Sequence, residues 1–375
     1  MRLLEIINFS KEYLEKYSFS KSRVESEKLI AYVLHMDRIN LYSNFEMELT
    51  ESEKKEIKTF LKEMARKRKG FDEILKEKED TKEIEKPQED FKSENIEILT
   101  KSIQYLKKYG VDNARLDAEY IFANVLGIKR NALMLNFHNK ISEEQKSQIR
   151  EYIVRRGKKR EPLQYILKEW EFYGLPFIVD ERVLIPRPDT EILVEECKFL
   201  LEGLGNDEPK ILDIGTGSGA ISISLAKLFP KSKVFGADIS KGALEVATQN
   251  RELNGASNVT FLVSDVFENI LEKDFDLIVS NPPYIPLTEY EELMPEVKNY
   301  EPMGALTDKG DGYYFYRKIS EEAYNFLKKG GYLAFEVGYN QGEEVSDIMK
   351  KIGYEVMGII KDYGNNQRVV IGRKE

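Results

Sequence analysis

The chain has 375 residues, of which 41% are hydrophobic and 33% charged, a globular composition that excludes fibrous and wholly disordered classes. Its length predicts about two to three domains. The net charge of -9 argues against sequence-independent capture of nucleic acid by a uniformly basic surface, although it leaves a local basic groove open.

The chain is poor in cysteine and histidine. Cys197 has no partner for an internal disulfide, and two histidines are too few for a Cys/His zinc cluster, so we expect a reducing compartment and no metal. The N-terminus gains charges too early for a signal peptide, and no stretch reaches the roughly 18 uninterrupted apolar residues of a membrane-spanning helix. We therefore expect a cytoplasmic protein without a membrane partner.

An internal repeat with a constant offset of 92 residues occupies the first part of the chain. About a third of the paired positions between 4–68 and 96–160 are identical without any gap, which indicates a tandem duplication. The matching pairs are Glu5-Ile6 with Glu97-Ile98, Tyr13-Leu14 with Tyr105-Leu106, Arg23 with Arg115, Asn44-Phe45 with Asn136-Phe137, and Lys67-Arg68 with Lys159-Arg160.

Each copy has the apolar spacing of helices, as between Leu116 and Tyr120. We therefore predict small helical bundles at 1–68 and 96–165. Residues 69–95 are almost all Lys, Glu and Asp and cannot bury a core. They are predicted to form a charged linker, either a mobile tether or a solvated helix.

The pattern changes to short β-type runs after Pro162. Runs at 171–173 and 176–179, split by Gly174, predict a β-hairpin connector at 166–190.

Residues 191–375 alternate strands with helices, which predicts an α/β domain with a doubly wound, largely parallel, Rossmann-like sheet. Only a short polar turn separates the last two strands, so we predict that the final strand is antiparallel. Seven strands are predicted, at 210–214, 233–238, 259–263, 276–280, 332–337, 354–360 and 368–372.

A glycine-rich loop follows the first strand of this sheet and leads into an apolar helix. Its glycines, Gly215, Gly217 and Gly219, let the backbone approach a nucleotide-like ligand closely, and free N–H groups at the helix start attract an anion. Asp238 ends the second strand, where it can accept hydrogen bonds from both ribose hydroxyls. The alternative is a tight turn with a helix cap, but the order of strand, turn, helix, strand and acid favours the ligand.

The fourth strand ends in Asn281-Pro282-Pro283-Tyr284, at the edge of the sheet where ligands bind. This quartet resembles a motif of S-adenosylmethionine-dependent methyltransferases that methylate planar nitrogens. The acceptor which that resemblance implies, an amide or exocyclic amine nitrogen, is a poor nucleophile because its lone pair is delocalised, and it carries two N–H donors. The Asn281 side-chain oxygen and the Pro282 carbonyl can accept from both donors, while Tyr284 can lie flat on the planar group. No side chain is required as a strong base, since the proton can leave after methylation. The alternative is a structural Pro-Pro loop.

The Gly-x-Gly-x-Gly spacing resembles motif I of S-adenosylmethionine-dependent methyltransferases, and Asn-Pro-Pro-Tyr resembles the motif of members that methylate planar nitrogens. S-adenosylmethionine is the cofactor that this resemblance implies. Asp265 and Val266 fit the adenine-contacting position, although Asp265 as a simple turn residue stays open, and some relatives have an aromatic residue in place of Val266. The implied cofactor-binding residues are Gly215, Thr216, Gly217, Ser218, Gly219, Asp238, Asp265, Val266 and Asn281.

Stretches across the rest of the chain match one family pattern, namely Arg160–Tyr165, Phe172–Phe177, Leu184–Glu191, Ser280–Ile285, Glu301–Pro302, Glu336–Gly338 and Asp362–Arg368. The segment from Arg160 to the C-terminus is thus similar to the HemK/PrmC family of peptide chain release factor glutamine N5-methyltransferases. The resemblance implies methylation of the glutamine in the Gly-Gly-Gln motif of class 1 release factors, which act in translation termination. It also implies that 96–165 binds the protein substrate and that Asn281, Pro282, Pro283 and Tyr284 bind the glutamine. Arg187–Glu191 is expected either to shape the cofactor pocket or to form surface salt bridges.

Three other functions stay open. A related enzyme could methylate glutamine on a ribosomal protein, and a nucleic-acid methyltransferase could use the same quartet on exocyclic amines, although Lys158-Lys159-Arg160 is too short a basic cluster to bind nucleic acid alone. A non-enzymatic binding module is the third alternative. The extra copy at 1–68 departs from the family pattern; an accessory contact to the release factor is preferred over a decayed duplicate or a self-association element.

Overall fold

The computed structural model of the protein describes residues 2–34, 36, 38–42, 44–45, 47–80, 91–362 and 364–375. They divide into two compact units, Met1–Asp90 and Phe91–Glu375. Every helix in these described ranges is too short or too polar to cross a lipid bilayer.

The first unit is a helical bundle with its own apolar core, to which Leu3, Leu14, Leu29 and Leu61 contribute. Its helices are α1 (Leu3–Lys16), α2 (Ser22–Val33), α3 (Arg38–Leu41), α4 (Glu51–Lys67) and α5 (Phe71–Asp80).

The second unit begins with a matching bundle. Its helices are α6 (Lys92–Lys108), α7 (Ala114–Leu126), α8 (Glu143–Lys158) and α9 (Leu163–Leu167), with two short 3-10 turns at Arg130–Ala132 and Met134–Asn136.

The duplication extends to individual hydrogen bonds. In the first copy Thr50 and Glu53 form a capping box that starts α4, and at the same offset Ser142 and Gln145 start α8 in the same way. A carboxylate held by two arginines recurs likewise. The paired sets are Arg23, Glu27 and Arg38 with Arg115, Glu119 and Arg130.

The prediction of a charged linker at 69–95 is wrong at both ends. At its start, α5 packs on the first bundle with Phe71 and Ile74 buried in the core. These two residues lie 92 positions before Leu163 and Ile166 of α9, so α5 is the counterpart of α9. Two apolar residues on one helix face are enough for burial despite the charged neighbours.

At its end, the linker prediction overlaps the second bundle. Asn95 is buried, and its Nδ2 donates to the backbone carbonyls of Phe137 at 2.8 Å and Asn139 at 2.9 Å. The second unit therefore begins at Phe91 rather than at residue 96. Residues 81–90 of the predicted linker lie outside the described residues.

The predicted hairpin is confirmed as β1 (Glu169–Phe172) paired with antiparallel β2 (Leu175–Ile178). Tyr173 and Gly174 connect the strands with positive φ angles of 51° and 71°, the backbone of a two-residue turn that suits the strand twist. Both strands begin earlier than predicted.

The rest of the chain forms a seven-stranded sheet in the order β5-β4-β3-β6-β7-β9-β8. The predicted antiparallel final strand is confirmed, since β9 runs against both β7 and β8 while β5, β4, β3, β6 and β7 are parallel. The strands are β3 (Lys210–Ile214), β4 (Lys233–Asp238), β5 (Val259–Val263), β6 (Phe275–Ser280), β7 (Leu327–Glu336), β8 (Tyr354–Lys361) and β9 (Gln367–Lys374).

Helices cover both faces of the sheet, because successive residues of a strand point to opposite faces. Ile211 of β3 packs into the core formed with α10 to α12, and the next residue, Leu212, packs into the core formed with α16 and α17. The doubly wound α/β prediction is therefore confirmed. The helices of the α/β domain are α10 (Thr190–Leu204), α11 (Ala220–Leu228), α12 (Lys241–Asn254), α13 (Leu287–Tyr290), α14 (Pro295–Lys298), α15 (Met303–Leu306), α16 (Tyr314–Ala323) and α17 (Gly342–Ile352).

Ion pairs attach the second bundle to the α/β domain. Arg156 of α8 bonds Asp117 at 2.6 Å and Glu296 of α14 at 2.9 Å, and Arg160 reaches the same Glu296 carboxylate at 2.6 Å. All four side chains are largely buried, so loss of one partner would leave an uncompensated charge.

Candidate active site

The candidate site lies at the carboxyl edge of the parallel strands. From β3 the sheet grows through β4 to β5 on one side and through β6 to β7 on the other, so the loops leaving β3 and β6 diverge and open a crevice. A cavity of about 330 Å³ occupies this crevice. The predicted residues that line it are Gly215, Gly217, Asp238, Asp265, Val266, Asn281, Pro282 and Pro283.

The glycine loop has the backbone that only glycine adopts readily. Gly215, Gly217 and Gly219 have φ angles of +72°, +55° and +82°. A Cβ on Gly215 would meet open space, whereas one on Gly219 would lie 2.9 Å from Ile223 and 3.1 Å from Phe261. The first two glycines thus form the cavity wall, and the third permits close packing of α11.

Three residues predicted to bind the cofactor, Thr216, Ser218 and Gly219, do not line the cavity. The Thr216 hydroxyl turns inward and donates to Asp213 Oδ2 at 2.6 Å. The Ser218 carbonyl accepts from Asn250 Nδ2 at 2.9 Å. The Thr216 side chain thus faces the core and supports the loop from below, and cofactor binding by these three residues stays a prediction.

Two buried side chains support the loop. Asp213 accepts from Thr216 and from the Ser222 backbone, and burial raises the pKa of its carboxyl group to about 7. Asn250 bonds the hairpin as well as the loop, since its Oδ1 accepts from Ile178 N at 2.6 Å and its Nδ2 donates to Ile178 O at 2.9 Å. Neither Asp213 nor Asn250 was predicted from the sequence to have a role in the site.

Asp238 joins the ends of two elements at the cavity. Its Oδ2 accepts from Gly217 N at 2.9 Å and its Oδ1 from Ser240 N at 2.8 Å. Burial raises the pKa of this carboxyl group, while the backbone hydrogen bonds oppose that rise. Each oxygen retains a lone pair, so the carboxylate can accept two further donors from a ligand.

The far wall of the cavity combines predicted and unpredicted residues. Val266 lies at the wall with a φ of +53°, a strained conformation for a β-branched residue, and Asp265 pairs with Lys318 of α16 at 2.9 Å. Tyr314 and Phe315 of α16 also line the cavity and were missed by the sequence analysis. Adjacent aromatic residues in the sequence were the available signal.

Asn281 presents one end of its amide to the protein. Its Nδ2 donates to Thr190 Oγ1 of α10 at 3.3 Å, and the preceding Ser280 hydroxyl anchors the strand end to Ile214 O at 2.7 Å. Asn281, Pro282 and Pro283 line the cavity, but Tyr284 does not. The Tyr284 carbonyl accepts from Gln341 Nε2 at 2.9 Å, and burial raises the pKa of its hydroxyl group.

The segment Arg187–Glu191 does not line the cavity directly, so its predicted role in shaping the cofactor pocket stays a prediction. Instead, Arg187 pairs with the buried Glu301, and Asp189 pairs with Arg368 at 2.9 Å. Glu191 accepts from Tyr173 N at 2.8 Å and so holds the hairpin turn. The segment therefore links the hairpin, α10 and β9 through polar contacts.

The residues of the cavity fit S-adenosylmethionine. The missing side chain at Gly215 leaves room for close approach, Asp238 has acceptor capacity for two hydroxyl groups, and Ile239, Val266 and Phe315 offer an apolar slot for a flat ring.

Comparison with known proteins agrees with this geometry. The sequence model of the PrmC N-terminal domain matches residues 5–68 and 97–167, and that of a methyltransferase domain matches 206–366. A release factor glutamine methyltransferase from Fusobacterium nucleatum is 54% identical over 347 residues, covering 92% of this chain and 94% of the relative. Another of that name, from Geobacter sulfurreducens, is 43% identical and covers 72% of this chain and 93% of its own length. A solved structure described as a release factor-specific protein-(glutamine-N5) methyltransferase from Alicyclobacillus acidocaldarius is 29% identical, has a TM-score of 0.32 and covers 51% of this chain and 94% of that one.

The fold and the site define an S-adenosylmethionine-dependent methyltransferase, with S-adenosylmethionine as its cofactor. Because a relative that is 54% identical matches 92% of this chain, the chain belongs to the release factor glutamine methyltransferase family. The predicted family, enzyme class and cofactor are confirmed. The match of one N-terminal model to both bundles also supports the duplication.

Proposed function

We propose that this enzyme transfers a methyl group to the N5 side-chain nitrogen of the glutamine in the Gly-Gly-Gln motif of class 1 peptide chain release factors. The observation that carries the proposal is the position of Asn281, whose amide nitrogen is bonded to Thr190 at 3.3 Å while the residue lines the cavity. The relatives named release factor glutamine methyltransferases agree with a glutamine of a release factor as the substrate.

The reaction requires little chemistry from the protein beyond positioning. S-adenosylmethionine supplies a methyl group on a sulfonium centre, which is electrophilic without further activation. The Asn281 Oδ1 and the Pro282 carbonyl accept from the two N–H groups of the glutamine amide and aim its nitrogen at the methyl group. Asp238 and the loop at Gly215 and Gly217 hold the ribose and the amino-acid end of the cofactor.

The proton leaves the glutamine nitrogen after the methyl group has been transferred. The amide nitrogen becomes strongly acidic once it is methylated, so the proton can pass to solvent without a dedicated base. Asp265 and Val266 are assigned to the adenine region. Tyr284 follows the cavity-lining Pro283 and is assigned to the part of the glutamine site beside the cavity, where its ring excludes water.

A protein substrate is favoured over nucleic acid. Arg160, from the short basic cluster at 158–160, is engaged by Glu296 at 2.6 Å and by the carbonyls of Tyr109 at 2.9 Å and Gly110 at 2.8 Å. These contacts reduce what the cluster can offer to phosphates. The second bundle, with Leu116, Met134 and Leu135 exposed, is assigned to docking the release factor, the first bundle to an accessory contact, and the enzyme to the cytoplasm.

Mass spectrometry tests the proposal. A purified class 1 release factor is incubated with the enzyme and S-adenosylmethionine, and any added methyl group is mapped to a residue, with Asn281→Ala as the matched control. A single methyl on the Gly-Gly-Gln glutamine supports the proposal. No methyl, despite calorimetric binding of the cofactor, would contradict it and direct the same assay to ribosomal protein or nucleic acid.

A further inference from the structure

A polar pair lies directly behind Asn281. Thr190 begins α10, and Glu336 ends β7, the strand next to β6. Thr190 is 4% exposed and Glu336 is 2% exposed. Ser280 of β6 is aligned with Phe335 of β7, so the next residues in sequence, Asn281 and Glu336, lie beside each other at the carboxyl edge of the sheet. The function proposed above gives no role to Glu336 and uses Thr190 only as the hydrogen-bond partner of Asn281.

Of these three side chains, only Asn281 lines the cavity. A carboxylate that does not reach the cavity cannot remove a proton from a substrate bound there. Any effect of Glu336 on the reaction is therefore transmitted through the Asn281 side chain.

The hydrogen-bond capacity of the group leaves one solution. An ionised carboxylate only accepts, and the Asn281 amide has two donors on Nδ2 and an acceptor on Oδ1. One Nδ2 donor is directed at Thr190 Oγ1, and the Thr190 hydroxyl and the second donor can both serve Glu336. All the donors then face the protein, so Oδ1 is left for the cavity.

We propose that Glu336, with Thr190, is a positioning residue that fixes the Asn281 amide so that its oxygen, rather than its nitrogen, faces the substrate. The proposal rests on the proposed function, in which that oxygen accepts an N–H of the glutamine amide. A flipped Asn281 would set its own N–H groups against those of the glutamine and abolish the aim of the nucleophile.

The surroundings of Glu336 agree with this role. Burial raises the pKa of its carboxyl group to about 7, against the opposing effects of Arg368 and of the two hydrogen bonds, while Asp189 adds to the rise. The Tyr316 hydroxyl donates to the Glu336 backbone carbonyl at 2.9 Å, and Tyr284 interacts electrostatically with its carboxyl group. The Glu336 Oε2 is buried without a hydrogen-bond partner among the described residues, so the protein leaves part of the acceptor capacity of this carboxylate unused.

Kinetics of Glu336→Met and Glu336→Gln test the proposal, with Asp276→Asn as the control. Asp276 is equally buried but lies at the opposite end of the neighbouring strand β6. Glu336→Met, which removes the acceptor, is expected to lower kcat by about 10- to 100-fold with unchanged cofactor Kd. Glu336→Gln keeps an acceptor, so kcat is expected within about fivefold of wild type. The control is expected to lose stability but not kcat.

A double-mutant cycle separates positioning from structural support. In an Asn281→Ala background, Glu336→Met is expected to change kcat by less than about twofold, because residues that act as a unit are not additive. Additive losses, or a Glu336→Met variant that loses thermal stability alone, would overturn the proposal.

An NMR measurement that requires no turnover tests the contact between Glu336 and Asn281 independently of the substrate. The side-chain amide of Asn281 in the 15N-labelled enzyme, assigned by its absence in Asn281→Ala, is expected to shift with pH around 7 in wild type and to be flat in Glu336→Gln. Equal titration in both would refute the contact. A wild-type enzyme that titrates in this way but does not methylate release factor would contradict the proposed function and leave this proposal standing.

Discussion

Asp238 Oδ2 accepts a hydrogen bond from Gly217 N at 2.9 Å and so ties the glycine loop after β3 to the end of β4. Asp238 therefore fixes the position of the glycine loop, which in the proposed site binds the same cofactor. One residue thus preorganises two sides of the cavity, which reduces the entropy lost when the cofactor binds.

Replacement of Asp238 by Ala is expected to weaken cofactor binding. The change removes the loop anchor and the acceptors for the ribose hydroxyls, and hydrogen bonds to a charged group are worth about 1.5–3 kcal/mol, or about 10- to 150-fold in Kd. Isothermal titration calorimetry with S-adenosylmethionine measures the effect. Asp265→Ala is the control: Asp265 is half exposed and already paired with Lys318, so we expect less than about a fivefold change. Equal effects in both variants would remove Asp238 from the ribose site.

Asn281→Ala is expected to separate binding from turnover. In the proposed site the loops after β3, β4 and β5 supply most of the contacts to the cofactor, so its Kd is expected to stay near that of wild type. Turnover is expected to fall by about 100- to 1000-fold, the effect of losing one preorganised polar contact at a reacting centre. Single-turnover kinetics on release factor measure this loss. Weaker cofactor binding with unchanged turnover would be the contrary result.

Gly236→Ala is expected to destabilise the protein although Gly236 lies in the regular strand β4. A Cβ there would lie 2.6 Å from the Phe261 ring and 2.9 Å from Thr216 Oγ1, the hydroxyl that bonds Asp213. We expect a loss of about 1–3 kcal/mol in the free energy of unfolding, as for other overpacked sites. In Gly203→Ala, at an exposed position of α10, a Cβ meets open space, and a gain of about 0.5–1 kcal/mol is expected. Urea unfolding compares the two, and equal effects would show that packing around Gly236 is looser than described.

Because of the Asp213 carboxyl group, the free energy of unfolding is expected to fall as the pH rises from about 4 to 7. Its carboxyl pKa is about 7 in the folded chain and near 4 in the unfolded chain, so the folded state retains a proton that the unfolded state releases. Unfolding is therefore favoured by rising pH across this window, with a total effect of a few kcal/mol. Asp213→Asn does not titrate and is expected to flatten this part of the profile in urea unfolding at about pH 5 and about pH 7.5. Parallel profiles would mean that Asp213 is ionised in the fold.

The sheet was predictable because its signals are local. The strands at 210–214, 233–238 and 259–263 match the predicted bounds, since each is a short apolar run with polar punctuation at its ends. A helix at α5 was one of two alternatives for the charged segment, but its burial was not predictable from composition. Phe71, Ile74 and Leu75 stand in a charged stretch, and only the repeat relates them to the buried helix α9.

The site was predictable at its glycines, acid and Asn-Pro-Pro motif, and much less so in its details. Whether Thr216 faces the cavity or the core depends on the twist of a loop, which sequence spacing does not encode. Tyr314 and Phe315 reach the cavity only through the packing of α16 on the sheet, a tertiary relationship. Glu336 could be placed at a strand end, but its burial behind Asn281 depends on the alignment of β6 with β7.

Deletion of residues 1–90 is expected to preserve catalysis. The unit Phe91–Glu375 contains one complete bundle, the α/β domain and the ion pairs from Arg156 and Arg160 to Glu296 that join them. The deletion must stop before Asn95, whose side chain bonds the backbone at Phe137 and Asn139; removal of residues 1–95 would damage the second bundle itself.

The kinetic constants of this truncation distinguish the roles of the first bundle. If it adds a contact to the release factor, kcat is expected to stay within about threefold of wild type, while KM for the release factor rises by up to about tenfold, equivalent to about 1.4 kcal/mol of lost binding. A free Gly-Gly-Gln peptide is too short to reach a second surface, so its KM is expected to be the same for both enzymes. Unchanged KM for the intact release factor would refute the accessory contact, and loss of kcat in a folded truncation, verified by circular dichroism, would make the first bundle part of the catalytic machinery.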